Sequence, residues 1–307
     1  MRRPLNPVPG ALRITGIDMQ PIPFQLPRRS LLAMLPALLT ACSATDLLNA
    51  TVADDTYRHT VDLPYGPDPR QRFDLYQPIA PVQGAPLVVF FYGGSWSSGN
   101  RADYRFVGEA LASKGIVTMV ADYRLSPAVR YPVFVQDSAK AVRHAMEAAA
   151  HYGASPSRVY VMGHSAGAYN AAMVALDGRW LAAEGVRPAQ LVGWIGLAGP
   201  YDFLPIGDSL TRVAFEWPNT PADSQPLVHA SKLSPPALLL APTQDSVVSP
   251  ERSTLAMARK LEASGVYVES ALFDSVSHVT LVASMASVLR SRAPVLARVQ
   301  AFVQSTG

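Results

Sequence analysis

Residues Gly163-His164-Ser165-Ala166-Gly167 spell G-x-S-x-G. They directly follow an apolar run, residues 158–162, that reads as a strand, and they open a helical stretch. A serine in that position sits on a sharp strand-to-helix bend, its hydroxyl exposed at a helix N-terminus whose dipole favours negative charge. The bend is so tight that the residues two before and two after the serine must be small, which Gly163 and Gly167 satisfy. The chemistry that follows is nucleophilic attack and a covalent intermediate, and it needs a base to take the hydroxyl proton.

The chain has six histidines. In a site of this kind the acid precedes the base in the chain and both follow the serine. His278 is the histidine that comes after the late apolar run 236–241 and after the last strand candidate, so it is the expected base. Among the others, His59 falls in an early strand and His164, beside the serine, is expected to turn away and be structural. His144 and His151 fall on a helix and are expected to be solvated, and His229 lies in an insertion. Asp245 follows the run 236–241 and is the expected third member, accepting the second imidazole N–H and fixing the tautomer. Asp274 competes because it is close to His278 in sequence, but a carboxylate four residues earlier on the same loop more often serves the loop.

Acyl transfer also needs N–H donors aimed where negative charge develops. Phe91-Tyr92-Gly93-Gly94-Ser95-Trp96 ends an apolar strand candidate, and glycines there let the backbone approach a substrate with no Cβ in the way. The expected donors are the backbone N–H groups of Gly94, Ser95 and Ala166.

These residues must be positioned by the elements around them. Residues 59–63 and 71–76 alternate apolar and polar as half-buried strands do, with a Pro/Gly turn between them. Residues 86–92, 116–121, 158–162, 191–197 and 236–241 are continuous apolar runs of strands covered on both faces, and 266–273 is a last candidate. Helical stretches fall at 104–114, 133–152, 165–176, 249–264 and 284–304, the last kinked or split by Pro294. The alternation predicts an α/β fold, a mostly parallel central sheet with helices on both faces. The Pro-rich stretch 203–235 has no clear strand and reads as a short cap insertion over the sheet's C-terminal edge. Its Phe203, Leu204, Phe215, Trp217 and Leu227 serve equally well as pocket lining or as cover for the sheet.

Taken together, these motifs resemble the α/β-hydrolase family, in its esterase and lipase branch with an H-G-G-[GSY]-W oxyanion motif, over about residues 57–304. Further matching pieces are Ala121-Asp122-Tyr123-Arg124, Tyr131-Pro132 with Asp137, and Gly199-Pro200-Tyr201-Asp202. The branch includes carboxylesterases, feruloyl and acetylxylan esterases, aryl formamidases and prenylcysteine methylesterases. The resemblance implies a Ser165-His278-Asp245 triad cleaving small to medium carboxylic esters through an acyl-enzyme, with no cofactor and no metal. It also implies that Asp122-Tyr123-Arg124 buttresses the oxyanion loop. The chain departs from the pattern at Tyr92, where many relatives have His, which changes how the loop is supported. An aryl formamidase, an acyltransferase and a non-catalytic binding module on the same fold are the competing readings. Oligomeric state is not legible.

Composition agrees. Hydrophobic residues at 49% and charged residues at 16% allow a sizeable core and are not those of a disordered chain. The net charge is +3, yet residues 1–41 hold Arg2, Arg3, Arg13, Arg28 and Arg29 against Asp18, so the body is close to neutral and gives no reason to expect nucleic acid. The one cysteine, Cys42, excludes an internal disulfide and a cysteine-based zinc cluster. Arg28-Arg29-Ser30, a short apolar run and Leu39-Thr40-Ala41-Cys42 form a signal peptide that resembles a bacterial lipobox. That resemblance implies cleavage before Cys42, a lipid on it, export and membrane attachment in the bacterial cell envelope. The alternative is a chance cysteine after an ordinary signal. The twin arginines resemble a Tat signal, and Met19 is a candidate true start. The expected organisation is a signal peptide at 1–41, a tether at 42–56 and a catalytic domain at 57–307.

Overall fold

The computed structural model describes residues 44–306. The leader, Cys42 and Gly307 lie outside the described residues. Eight strands form one sheet: β1 (Tyr57–Pro64), β2 (Arg72–Pro78), β3 (Ala85–Phe91), β4 (Val117–Ala121), β5 (Ala154–His164), β6 (Leu191–Leu197), β7 (Ala237–Pro242) and β8 (Val268–Phe273). Their order is β1-β2-β4-β3-β5-β6-β7-β8, antiparallel at β1–β2 and β2–β4 and parallel elsewhere. The continuous apolar runs are the interior strands, and every residue of β3, β4 and β7 is buried. The edge strand β1 is mostly exposed and carries Arg58, His59 and Asp62, charges and polar groups that discourage pairing with another chain.

The helices are α1 (Ala44–Ala50), α2 (Arg105–Ala112), α3 (Val133–Ala148), α4 (Ala166–Leu176), α5 (Arg179–Ala183), α6 (Ser209–Ala214), α7 (Pro226–His229), α8 (Ala256–Ala263), α9 (His278–Ala283) and α10 (Val295–Ser305). The chain steps from β3 to β4 through α2 and back past β3 to β5 through α3. Right-handed crossovers in opposite directions put α2 and α3 on opposite faces, so the sheet is covered on both. The reversal lies beside β3 and β5, and open α/β sheets bind ligands outside the strand ends at such a point. Both motif-bearing turns, after β3 and after β5, lie there.

One expectation is corrected. The described part of the expected tether 42–56 is not free: from Ala44 it forms α1, whose Asn49 amide donates to the Ala102 carbonyl (2.8 Å) and accepts from the Phe106 N–H (3.2 Å). Downstream, Arg105 pairs with Asp54 and Thr56 Oγ1 donates to Glu109 (3.1 Å). Residues 284–304 are split at Pro294, as expected. The chain leaves α9 at Ser284, makes a short 3-10 turn at Ser287–Leu289, and starts α10 only after Pro294, whose ring cannot continue a helix from upstream. Residues 203–235 hold α6 and α7 and, among the described residues, no strand.

The bend between β5 and α4 is set by two glycines. A Cβ on Gly163 would lie 2.1 Å from the Gly167 carbonyl oxygen, and one on Gly167 would lie 2.0 Å from the Phe91 carbonyl oxygen at the end of β3. Both obstacles are backbone, which cannot rotate aside. Gly167→Ala must therefore force α4 and β3 apart, at a cost of about 1–3 kcal/mol. The expected result is a thermal midpoint lower by roughly 3–10 °C. Gly207→Ala, where an added Cβ meets nothing within 4 Å, should melt with the wild type; equal midpoints for both variants would contradict this account.

Candidate active site

Ser165 sits at φ 54°, ψ −122°, on the first residue after β5. A positive φ on a non-glycine residue costs on the order of 1–3 kcal/mol and persists where neighbours over-determine it. Here the Ser165 N–H donates to the Leu197 carbonyl (2.9 Å), its carbonyl accepts from the Tyr169 N–H (3.1 Å), and all of α4 behind it is buried. The side chain is thereby turned out of the sheet.

His278 reaches it from the loop after β8, at the same edge of the sheet. Its Nε2 is 2.8 Å from Ser165 Oγ, and its Nδ1 is 2.7 Å from Asp245 Oδ2. A carboxylate can only accept, so Nδ1 carries the proton and Nε2 is left to accept from the hydroxyl. Asp245 is held in turn. Its Oδ1 accepts from the N–H groups of Val247 (2.8 Å) and Val248 (3.0 Å), and its side chain is fully buried. Asp274, the competitor on the loop, is exposed and is not brought to His278. The loop from β8 ends at α9, which begins on His278 itself and is capped by Ser277 with Thr280 in a reciprocal box. Sequence reading missed α9, though Ser277 three residues before Thr280 is the signal of that cap.

The remaining histidines sort differently from one another. His164 is turned away from Ser165, as expected, but it has a role: its Nε2–H donates to the His278 carbonyl (2.9 Å), so it props the backbone of the residue above it. Burial first, and the nearby His278 second, lower its pKa to about 3. His144 is half-buried and not solvated, its Nε2 2.9 Å from the Tyr152 hydroxyl. His151 is exposed and lies past the end of α3. His59 stacks on Tyr76, and His229 Nε2 donates to the Asp223 carbonyl (2.6 Å).

The loop after β3 brings Gly94 and Ser95 to the same place. Ser95 and Trp96 both have positive φ, 50° and 55°. The Gly94 carbonyl is held by the N–H groups of Ser97 (2.9 Å) and Ser98 (3.1 Å). Because a trans peptide is planar, the Ser95 N–H points the opposite way from that carbonyl. Among the described residues no acceptor meets the N–H groups of Gly94, Ser95 or Ala166.

Support for that loop converges on Asp122. Its Oδ1 accepts from the Tyr92 hydroxyl (2.7 Å) and the Arg101 N–H (2.9 Å), and its Oδ2 pairs with the Arg101 guanidinium. Arg70 donates to Tyr92 Oη (2.7 Å) and to the Gly99 carbonyl (3.0 Å), and the Tyr123 hydroxyl donates to the Tyr92 carbonyl (2.8 Å). Tyr92 thus supports the loop through a buried hydrogen bond, and burial pushes its pKa far up so that it stays a donor. Arg124 instead holds Asp137 in a two-point pair (2.8 and 2.7 Å).

Two cavities meet at Ser165. One, of about 470 Å³, runs along the insertion and is lined by Trp96, Phe203, Ile206, Gly207 and Thr211. The other, of about 410 Å³, lies towards α1 and α9 and is lined by Leu48, Tyr104, Phe106, His278 and Val282. Of the five insertion residues weighed from sequence, Phe203 lines a cavity, whereas Phe215 is buried beneath it, 4.8 Å from the Trp96 ring.

Below pH 6.5 the unfolded chain protonates His164 and the folded chain does not, down to about pH 3. Stability is therefore lost as the pH falls through that window, by up to about 1.4 kcal/mol per unit. His59 and His144, also lowered by burial, add the same sign. His164→Gln, which keeps an N–H for the His278 carbonyl, should flatten the dependence of melting temperature on pH between 6.5 and 4. Parallel wild-type and variant curves would rule this out.

The chain has relatives among known proteins. The chain is 30% identical over 239 residues to an isoprenylcysteine alpha-carbonyl methylesterase of Arabidopsis thaliana, covering 71% of this chain and 56% of that one. It is 32% identical over 146 residues to a kynurenine formamidase of Salmo salar, covering 48% and 47%. The chain thus spans about half the length of the curated relatives it matches. A truncated carbohydrate esterase from gut microbiota superposes with a TM-score of 0.71 at 17% identity, over 83% of this chain and 98% of that one, which bears on the fold. That fold is the α/β-hydrolase fold. With residues 73–261, more than half of its length, matching the BD-FAE family model, the chain belongs to the BD-FAE family.

Proposed function

We propose that this protein hydrolyses carboxylic esters of small to medium size through an acyl-enzyme, with Ser165 as nucleophile, His278 as general acid and base, and Asp245 as its orienting carboxylate. One observation carries the reading: an unbroken hydrogen-bond chain of 2.8 and 2.7 Å joins a strained, outward-turned serine to a fully buried carboxylate. Such a chain lets His278 Nε2 take the hydroxyl proton as Oγ attacks the ester carbonyl. The unpartnered N–H groups of Gly94, Ser95 and Ala166 are the donors for the oxyanion, where each is worth about a hundred- to a thousandfold in rate. His278 then gives its proton to the departing alcohol, and water, activated by the same imidazole, releases the acid. Asp208, Thr211 and Ser246 in the larger cavity give water polar partners, which favours hydrolysis over transfer to an acceptor alcohol. A formamide is the second reading, since the same groups cleave it and the chain is similar to a kynurenine formamidase.

We also propose that residues 1–41 are an export signal and that Cys42 carries the lipid, so that the enzyme is anchored to the bacterial envelope. Cys42→Ser should move the protein from the membrane fraction to the soluble fraction and abolish incorporation of labelled fatty acid. An unchanged distribution would leave an ordinary signal peptide.

The catalytic reading is tested with p-nitrophenyl acetate, butyrate and octanoate. Ser165→Ala should lower kcat by about 10⁴-fold or more, and Asp245→Asn by about 10⁴-fold through the wrong tautomer, with Asp274→Asn near wild type. A folded wild type that turns over no ester but hydrolyses an aryl formamide would select the second reading. Loss in Asp274→Asn equal to that in Asp245→Asn would overturn the assignment of the carboxylate.

A further inference from the structure

The two cavities at Ser165 are not equivalent with respect to the base. His278 lines the smaller one and not the larger. On the ester-hydrolase reading, acylation breaks the bond between the carbonyl carbon and the alcohol oxygen. The proton that Nε2 took from Ser165 goes to that oxygen, and the acyl group stays on Oγ. The alcohol oxygen must therefore lie within hydrogen-bond reach of Nε2, about 2.6–3.2 Å. The alcohol then extends into the cavity that His278 lines, and the acyl chain into the one along Trp96, Phe203 and Ile206.

The walls of the alcohol side come from an unexpected place. Thr45 and Leu48 of α1 face Tyr104, Phe106, Val279 and Val282 across it. Leu48 is half-buried and packs against the core. α1 is held there by the two hydrogen bonds of Asn49, to the Ala102 carbonyl and from the Phe106 N–H, which tie it to the start of α2. The lining is largely apolar, and Asp103 on its edge has its pKa raised, chiefly by burial. A carboxylate there disfavours an anionic alcohol.

We infer that α1, the segment immediately after the proposed lipid site, is the specificity wall of a leaving-group pocket that takes a bulky, uncharged apolar alcohol, with Leu48 as the residue that sets its size. This rests on the ester-hydrolase reading, and it assigns to the N-terminal segment a part in substrate choice as well as in attachment.

The test crosses two variants with two ester series. One series keeps the butyryl group and changes the alcohol from ethyl to 2-naphthyl; the other keeps the p-nitrophenyl alcohol and lengthens the acyl group from acetyl to octanoyl. Leu48→Trp should raise KM for the naphthyl ester about tenfold relative to the ethyl ester, with the acyl-length ratio within about twofold of wild type. Gly207→Val, where an added side chain enters open space in the acyl cavity, should do the reverse. Leu48→Ala, changing size in the opposite sense, should move preference towards the larger alcohol, which separates pocket size from a displaced helix. Melting midpoints equal to wild type confirm that α1 stays docked. A wild type active on both series, with an alcohol ratio that neither Leu48 variant moves, overturns the inference alone. A Leu48→Trp effect on acyl length does the same. A wild type inactive on every ester overturns the ester-hydrolase reading and this inference with it.

Discussion

The close approach of two backbones, α4 against the end of β3, is the contact on which the site depends. Gly167 packs where a Cβ would meet the Phe91 carbonyl oxygen at 2.0 Å, and Gly163 makes the bend that leads into it. That contact fixes how near the nucleophile turn comes to the loop after β3. Ser165 and the N–H groups of Gly94 and Ser95 belong to turns about seventy residues apart in the chain. Parallel pairing of β3 with β5 sets the two turns side by side, and the glycine contact closes the remaining gap.

Strain accumulates on both sides of that contact, and buried polar groups hold it. Ser165, Ser95 and Trp96 all have positive φ. Asp122, with its side chain only 3% exposed, gathers Tyr92, the Arg101 N–H and the Arg101 guanidinium, and each partner belongs to the loop after β3 or the segment that follows it. A buried charge is costly unless it is paired, so Asp122 constrains its partners as much as they stabilise it. The Tyr92 hydroxyl is part of this set: its side chain supports the loop from beneath, through Asp122 and Arg70.

On the other side of Ser165 the constraint is imposed from the ends of the chain. His278 opens α9, His164 holds its carbonyl, and Val247 and Val248 hold the carboxylate that orients its ring. α1 then closes the cavity beside it. The polar groups of the site are each held by buried neighbours, so that their arrangement is fixed before anything binds.

Sequence alone determined the eight strands, singled out Ser165, His278 and Asp245, which the structure brings within hydrogen-bond reach of one another, and marked the two loops that flank the serine. Those features depend on local pattern: apolar runs of strand length, glycines at fixed offsets from a serine, and chain order. The periodicity failed where pattern and context diverge. The Pro294 break within residues 284–304 is visible in the sequence, but the separate helix α9 before them is not. Residues 42–56 look like a polar linker because α1 is short, and its stability comes from docking on α2 and not from its own residues. The prop that His164 gives His278, the burial of Phe215 beside Trp96, and the division of the cleft into two cavities with the base on one side were decided by tertiary structure alone. Each joins residues far apart in the chain, and such contacts leave no periodic trace in a single sequence, because they are fixed only when the sheet brings the loops together.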